Sequence, residues 1–402
     1  MSRILLLLPT ATYRATDFLA AARALDVDVV VGSERRQAMS HSMGDRAIVI
    51  PLRDLDAAVD AIAELHARHP LDAVLAVDDP GVLIACAASS RLGFRHNPLE
   101  AVVAARDKIV MRELFAKASI RQPEFRVVPP EGDVATLAKE VGFPCVVKPV
   151  SRSASQGVIR ADDADQARAA GLRVRTIVND PSERLLVERF VPGDEVAVEG
   201  LLSSGRLKVL AVFDKPDPLD GPYFEETIYV TPSRKDPATL GHIDTTAAEA
   251  AAALGLTEGP VHVELRIGPD ATVTVLEVAA RSIGGLCSRA LRFGAGVSLE
   301  ELIIRHALDL RPQDLAREAQ ASGVMMLPIR AGGVLDRVDG QEEARAVEGV
   351  VGLDVTIPSG RTLRPLPEGD RYLGFVFARG ATPELVERAL REAEACLDVR
   401  LR

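Results

Sequence analysis

Hydrophobic and polar positions in the first hundred residues follow two alternating patterns. Continuous apolar runs occur at RILLLLP (3–9), VDVVVGS (27–33) and DAVLAVDD (72–79). Segments with helical spacing lie between these runs at 15–26 and 54–68 and after the last run at 81–93. A continuous apolar run is typical of a strand that is covered on both faces. The alternation therefore predicts an α/β domain over 1–104, with a doubly wound parallel sheet.

The pattern changes to α+β after residue 104. Helical spacing predicts a helix over 101–118, and alternating apolar and polar residues predict an antiparallel sheet over 184–215. The segment 213–233, rich in Asp, Pro and Gly, is predicted to be a loop between strands. A further α+β unit is predicted over 323–402.

The stretch HVELRIGPDATVTVLEVAARSIGG (262–285) predicts a hairpin with a turn around Pro269 and Asp270. The period of two then places Glu264 opposite or diagonal to Glu277 on one face. That face also carries His262, Val275, Ala279 and Arg281. Two carboxylates about 5 Å apart repel by about 3 kcal/mol at an effective dielectric of 20. A hard divalent cation would offset this repulsion; a solvated face with Glu/Arg pairs is the alternative.

Two further stretches suggest a phosphate or nucleotide site. Lys148 lies within an apolar strand, where an ammonium needs an anion, and a loop of small residues (151–157) follows it. The alternative is a flexible turn with a lysine that reaches solvent. In LLVERFVPGDEVAVEG (185–200), Glu188 ends an apolar strand and Glu195 follows a Pro-Gly turn. Such a segment offers backbone groups to an adenine and an acid to a ribose; a hairpin with solvated acids is the alternative.

Composition excludes several classes of function. The net charge is −10, aromatic residues make up 4% and there is no Trp, so nucleic acid and anionic membranes are poor partners. The four cysteines are scattered without zinc spacing, which favours reduced thiols in a cytoplasmic protein. The chain contains neither GxGxxG after its first strand nor GxxxxGK[ST], so a nucleotide would bind in another way.

Taken in the order in which they occur along the chain, the three stretches resemble the ATP-grasp superfamily. FEETIYVTPS (224–233) and LEVAARSIGG (276–285) are most similar to its L-amino acid ligase and carnosine-synthase-like branch. The resemblance implies an ATP-grasp fold over 105–322 that clasps ATP between two α+β subdomains. A nucleotide-covering subdomain would span about 120–186 and a metal-site subdomain about 187–322, with 323–402 packed on this core.

The resemblance also implies roles for individual residues. Lys108 and Lys148 would contact the α- and β-phosphates, and Arg281 the transferred phosphoryl group or the substrate carboxylate. The remaining ATP contacts would be Ser153, Ser155 and Gly157 in the phosphate-covering loop, Glu188 with the backbone of Phe190 and Val191 at the adenine hinge, and Glu195 at the ribose. Glu264 and Glu277 would hold Mg²⁺ or Mn²⁺, and Gly284 and Gly285 would offer N–H groups near the reacting carboxyl.

The implied activity is ATP-dependent joining of a carboxylate, an amino acid, to an amine through an acyl phosphate, with release of ADP and phosphate. The partners would be the two small-molecule substrates and a second copy of the chain in a homodimer. Alternatives are a purine-biosynthetic or biotin-carboxylase-like enzyme, or a nucleotide-binding protein without ligase activity. The last follows from Ala279, which stands where the family usually has a metal-binding Asn.

Five further residues are candidates for substrate contacts. Lys215, Glu225 and Glu226 lie in the predicted loop 213–233, where an acid would suit an ammonium group; a solvated turn is the alternative. His262 shares the face of the carboxylates, or is a structural histidine. Asp79 follows a parallel strand, where α/β sheets often place ligands, or caps a helix.

Overall fold

The computed structural model describes residues 2–9, 12–35, 46–310 and 314–402. Its strands form four sheets, of four, eight, three and four strands. None of the helices in these described ranges is both long and apolar enough to cross a bilayer. The predicted domain boundaries stay predictions.

The N-terminal domain has the parallel sheet that the sequence predicts, with strand order β3-β2-β1-β4. Its strands are β1 (Arg3–Leu7), β2 (Asp28–Ser33), β3 (Ala47–Val49) and β4 (Ala73–Ala76), and its helices are α1 (Ala15–Ala24), α2 (Leu55–Arg68) and α3 (Asp79–Leu92). Alternate side chains of β1 enter two different hydrophobic clusters, one on each side of the sheet. The continuous apolar run therefore reflects burial on both faces.

The prediction of one helix over 101–118 is wrong. The chain forms α4 (Leu99–Arg106) and α5 (Lys108–Lys117), which are separated by Asp107 in an extended conformation. The Asp107 carboxylate accepts hydrogen bonds from the N–H groups of Ile109 and Val110, so it caps the second helix. This cap fixes Lys108 at the first position of α5.

A four-stranded sheet with order β5-β8-β6-β7 lies in the region predicted to cover a nucleotide and is called the nucleotide-covering sheet below. It contains β5 (Phe125–Val128), β6 (Cys145–Pro149), β7 (Ile159–Ala161) and β8 (Leu185–Arg189), with α6 (Val134–Val141) and α7 (Ala164–Val178). The segment 184–215 is therefore not one sheet. Its first strand, β8, pairs with β5 and β6, and the chain enters the eight-stranded sheet only after the Pro192-Gly193 turn.

The eight-stranded sheet is antiparallel, with order β13-β12-β9-β10-β11-β14-β18-β16. Its first part consists of β9 (Asp194–Ser203), β10 (Arg206–Lys215), β11 (Ile228–Thr231), β12 (Gly259–Ile267) and β13 (Val273–Ala279), accompanied by α8 (Pro237–Ala253) and α9 (Leu299–Ala307). The prediction of a loop throughout 213–233 is wrong at β11, which joins β10 to β14. Only residues 216–227 lie between the strands.

The C-terminal region completes this sheet and adds a small one. It contains β14 (Ala321–Leu327), β15 (Gly333–Asp339), α10 (Gln341–Ala346), β16 (Val350–Val355), β17 (Thr362–Leu363), β18 (Gly374–Gly380), α11 (Pro383–Cys396) and β19 (Asp398–Leu401). Strands β14, β16 and β18 extend the eight-stranded sheet, and β17, β15 and β19 form the three-stranded sheet. The C-terminal region thus shares a continuous sheet with the central one.

Candidate functional site

A cavity of about 430 Å³, called the cleft below, lies where the N-terminal domain, the nucleotide-covering sheet, the hairpin and the C-terminal region meet. Its size is typical of small-molecule sites. Most of the candidate residues line it: Asp79, Lys108, Lys148, Ser153, Ser155, Glu188, Phe190, Val191, Glu195, Glu226, His262, Glu264, Glu277, Arg281, Gly284 and Gly285. Residues from widely separated parts of the sequence therefore converge on one space.

Three candidates lie outside this lining in the described part of the chain. Lys215 is buried behind the cleft surface, where it pairs with glutamates that do line the cleft. Glu225 lines a separate cavity of about 10 Å³. Gly157 lies behind its loop and donates its N–H to the carbonyl of Pro367 at 2.9 Å.

The two lysines are held by different carboxylates. Lys108 Nζ lies 3.2 Å from Glu277 Oε1 and donates to the Arg152 carbonyl at 2.9 Å. Lys148 Nζ lies 2.6 Å from Glu188 Oε2. Burial lowers the pKa of Lys148, and the nearby Arg112 and Lys108 act in the same direction, whereas Glu188 opposes them. Both ammonium groups face the cleft from positions that are 8% exposed.

Arg112 is a functional neighbour that the sequence analysis missed. Its Nε donates to Glu188 Oε1 at 2.7 Å, and its Nη2 donates to the Leu276 carbonyl at 2.7 Å. Burial alone would raise the pKa of Glu188, but Arg112 and Lys148 lower it to about 2. Arg112 lies four residues after Lys108, so the shared helix face was a signal that could have revealed it.

The loop predicted to cover phosphates (151–157), called the phosphate-covering loop below, contains two residues other than glycine with positive φ angles. Ala154 and Ser155 adopt positive φ angles of 54° and 55°, and Gly157 one of 73°. The loop is fastened to the C-terminal region, because Gln156 Nε2 donates to the Glu368 carbonyl at 2.9 Å. Ser153 and Ser155 line the cleft beside this attachment.

At the predicted adenine hinge, several polar groups already have partners. The Phe190 N–H donates to the Pro144 carbonyl at 3.0 Å, and the Val191 carbonyl accepts from Arg266 Nη1 at 2.9 Å. The Phe190 ring stacks on Phe224 with ring centroids 6.3 Å apart. The Arg266 guanidinium lies 5.0 Å from the centroid of Phe190. The hinge therefore offers an aromatic and cationic surface to a flat ring.

Lys215 links three carboxylates of the cleft. Its Nζ lies 2.7 Å from Glu195, 2.5 Å from Glu226 and 4.0 Å from Glu264. Burial alone would lower the pKa of Lys215, but these glutamates raise it. Glu195, predicted to bind ribose, also accepts from Arg266 Nε at 3.0 Å, so both of its oxygens have cationic partners.

The hairpin confirms the predicted register, since Glu264 pairs directly with Glu277. The prediction that Val275 shares the face of Glu277 is wrong. A β-bulge between these pairs makes Leu265 face Val275, and Val275 belongs to a hydrophobic cluster while Leu276 and Glu277 line the cleft. The extra residue shifts the alternation of β13 by one position.

Cations of the protein itself lie beside the two hairpin carboxylates. Lys108 contacts Glu277, and His262 Nε2 lies 3.4 Å from Glu264 Oε1. Burial alone would raise the pKa of Glu264, but Lys215 and His262 lower it. These contacts reduce the repulsion that the sequence predicts for the pair.

One group of carboxylates in the described residues has the spacing of a cation site. One oxygen from each of Glu195, Glu226 and Glu264 lies within 4.8 Å of the others. Glu264 belongs to this group and to the hairpin pair, whereas Glu277 belongs only to the pair. Ala279, at the position of the family's usual Asn, pairs with His262 across the hairpin.

Glu199, also missed by the sequence analysis, connects His262 to residues 282–287, called the glycine segment below. It is 0% exposed, its Oε1 lies 2.5 Å from His262 Nδ1 and its Oε2 accepts from the Ile283 N–H at 3.0 Å. Burial alone would lower the pKa of His262, but hydrogen bonds to Glu199 and Glu264 raise it to about 9. The only signal in the sequence was a carboxylate within the apolar strand β9.

The N-terminal domain contributes directly to the cleft. Asp79, at the start of α3, accepts from Arg281 Nε at 2.6 Å. Burial alone would raise the pKa of Asp79, but Arg281 lowers it. Arg14 donates to Ser282 Oγ at 2.8 Å, so two arginine contacts join this domain to the segment that follows β13.

Within the glycine segment, Gly285 is the position that excludes a side chain. Gly285 has a φ of 62°, and a Cβ there would lie 2.8 Å from Phe375 Cε1. A side chain at this position would therefore be strained and would displace an aromatic ring. Gly284 and Gly285 both line the cleft beside Arg281.

Three family models match separate parts of the chain. The ATP-grasp N-terminal domain matches residues 19–96, the ATP-grasp domain 141–290 and the L-amino acid ligase C-terminal domain 2 residues 325–402. Together they confirm the resemblance that the sequence motifs indicate.

Individual relatives agree with these matches. The chain is 25% identical over 266 residues to alanine–anticapsin ligase of Bacillus subtilis. The matched region covers 61% of this chain and 56% of that protein. The L-amino acid ligase structure from Bacillus licheniformis has a TM-score of 0.84 and 25% identity and covers 100% of this chain and 99% of that one. Carboxyaminoimidazole ribonucleotide synthase from Aspergillus clavatus, solved with ATP, has a TM-score of 0.77 at 17% identity over 98% of both chains, which shows a shared fold.

Proposed function

The chain belongs to the ATP-grasp superfamily, and from this premise we propose that it is an ATP-dependent carboxylate–amine ligase. It would join the carboxylate of an amino acid to an amine through an acyl phosphate and release ADP and phosphate. The observation that carries this proposal is the convergence of Lys108, Lys148, Arg281 and the hairpin carboxylates in one cleft. The L-amino acid ligase domain match at 325–402 supports the choice of reaction.

In the first half-reaction, a carboxylate oxygen of the acid attacks the γ-phosphorus of ATP, and the bond from that phosphorus to the oxygen of ADP breaks. The task of the protein is to position the reactants and neutralise charge, because phosphoryl transfer needs little covalent help. Lys108 and Lys148 would neutralise phosphate oxygens, and Glu188 would hold Lys148 in place. Arg281, oriented by Asp79, would face the transferred group.

The carboxylates fit a hard divalent cation, since Mg²⁺ and Mn²⁺ prefer oxygen ligands. Glu264 and Glu277 would hold it, and Glu195 and Glu226 offer further oxygens near Glu264. When bound, the cation would supply positive charge that neutralises the phosphates. Ala279 has no ligand atom, so water would complete the coordination shell.

In the second half-reaction, the amine nitrogen attacks the carbonyl carbon of the acyl phosphate. The carbon–oxygen bond to phosphate breaks, and phosphate and a proton are released as the amide forms. The N–H groups of Gly284 and Gly285 would face the developing oxyanion. The phosphate-covering loop, fastened to the C-terminal region through Gln156, would exclude water that hydrolyses the intermediate.

The test is ADP release from ATP and Mg²⁺ with pairs of amino acids, combined with mass spectrometry of the products. Hydroxylamine, added in place of the amine, should give an acyl hydroxamate, because it traps an acyl phosphate. Absence of acid-dependent ADP release with every pair would contradict the proposal. ADP release that depends on bicarbonate alone would favour the carboxylase-like alternative.

A further inference from the structure

Tyrosine is rare in this chain, yet it is concentrated at the cleft. Of the four tyrosines, Tyr13, Tyr229 and Tyr372 line it. Tyr13 and Tyr372, with Ile283, Cys287 and Met326, form a surface that we call the aromatic wall. These residues come from the N-terminal domain, the glycine segment and the C-terminal region, so the wall is a product of the tertiary fold.

The aromatic wall lies against the glycine segment. The rings of Tyr13 and Tyr372 pack edge-on against Phe375, with centroids 5.5 and 6.0 Å away. Phe375 in turn occupies the space that a side chain at Gly285 would need. A group held beside Gly284 and Gly285 would therefore project its substituents toward this wall.

The polar groups of the wall are uncharged near neutral pH. Burial raises the pKa of Tyr13 to about 12, and the phenol of Tyr372 is neutral near pH 7, as phenols ordinarily are. Burial also raises the pKa of the Cys287 thiol. Phenols and a thiol in this state offer hydrogen bonds but no charge to a ligand.

The charged groups nearest the wall already have partners. Glu226 accepts from Lys215 and from the hydroxyls of Tyr229 and Tyr372, at 2.5, 2.6 and 3.3 Å. Arg371, on the exposed rim of the cleft, donates to Asp370 at 3.2 Å, and Asp78, which also lines the cleft, lies 3.8 Å from Arg14 Nη1. A charged ligand group on the wall would therefore be buried without a dedicated counter-charge, which is costly.

We propose that the aromatic wall binds the side chain of the acid substrate and selects one that is bulky and uncharged, either aliphatic or aromatic. This inference rests on the proposed ligase function and specifies its substrate. An ionic side chain is disfavoured because the wall cannot pair it, and a very small one because it leaves the wall unfilled.

The test compares acids of similar length and different charge in the ADP-release assay, with one amine at a fixed saturating concentration. Methionine, leucine and phenylalanine should exceed glutamate and lysine as the acid by about 100-fold or more in kcat/KM. Equal or better turnover with glutamate or aspartate would point to Arg371 and would overturn the inference while leaving the ligase proposal intact. If no acid supports ADP release, both proposals fail.

A pair of variants tests the location of the selectivity. Met326→Ala enlarges the space beside the wall, so the ratio of kcat/KM for phenylalanine over leucine should rise about tenfold. Arg371→Ala changes a charge on the rim and should leave the ranking of side chains unchanged. If Arg371→Ala reorders the ranking and Met326→Ala does not, the wall is not the selecting surface. The wild-type ranking decides the charge question even if Met326→Ala does not fold.

Discussion

The cleft joins two surfaces of opposite chemical character. One is the charged floor, made of Lys108, Lys148, Glu188, Glu195, Glu264 and Glu277 with Arg112 and Lys215 buried behind them, and the other is the aromatic wall. In the floor each lysine is bonded to a carboxylate, whereas the wall presents phenols, a thiol and aliphatic carbon. The floor suits the binding of phosphate groups, which would be the same for every acid substrate. The wall suits discrimination between acid substrates by their side chains.

The largest effect is expected from removing a buried cation of the floor. Arg112→Met deprives Glu188 of its 2.7 Å partner and the Leu276 carbonyl of its donor, and only Lys148 then remains beside the buried carboxylate, so the free energy of unfolding should fall by about 3 kcal/mol. Denaturant titration measures this. Arg126→Met, which breaks an exposed pair with Glu140, is the control and should cost less than about 1 kcal/mol. Equal losses of unfolding free energy in the two variants would contradict the inference that the buried pair costs more to break than the exposed one.

The next effect concerns the proposed cation site. Glu277→Ala should lower the rate of ADP release by about 10²–10³-fold, because it removes charge where the phosphates would be neutralised. Glu225→Ala is the matched control, since Glu225 lies outside the cleft lining. Activity that survives Glu277→Ala would show that the hairpin carboxylate has no part in the reaction.

A smaller effect is expected at Glu199, which touches the floor only through His262. Glu199→Ala should lower kcat by about 10–100-fold with little change in the KM for ATP, because His262 and the Ile283 N–H lose their common acceptor. Glu199→Gln keeps an acceptor oxygen and should recover part of the loss. A uniform rise in KM without a fall in kcat would argue against a positioning role.

The smallest effect should come from the wall. Tyr372→Phe removes one hydroxyl, 3.3 Å from Glu226, and keeps the ring, so stability should fall by about 0.5–1.5 kcal/mol. The preference for uncharged acids should persist, as measured by the ratio of kcat/KM for methionine and glutamate. Loss of that preference would mean that the hydroxyl, rather than the neutral surface, selects the acid.

The two surfaces also differ in how far the sequence predicts them. The Glu264–Glu277 pair was predictable because a short turn fixes the register of a hairpin. The bulge at Leu276 was not, because the residues around it are apolar and the shifted alternation leaves no mark. Partners such as Arg112 and Glu188 are 76 residues apart, and no local pattern specifies a contact across that separation.

The aromatic wall was not predicted either, because its residues are even farther apart along the sequence. Tyr13 and Tyr372 lie near opposite ends of the sequence and meet through Phe375. A single aromatic residue in a loop carries no periodic signal, whereas the parallel sheet and the hairpin do. Fold class and the charged hairpin therefore follow from local patterns, and the surface that would select the substrate follows only from tertiary packing.

The attachment of the phosphate-covering loop to the C-terminal region has a consequence for synthesis of the chain. Gln156 donates to a carbonyl 212 residues later, and Gly157 donates to the neighbouring Pro367. At a ribosomal rate of about 5–20 residues per second, roughly ten seconds or more separate the emergence of the two partners. These two contacts therefore form late, so a half-made chain that already carries Lys108 and Lys148 still lacks the bonds that hold this loop.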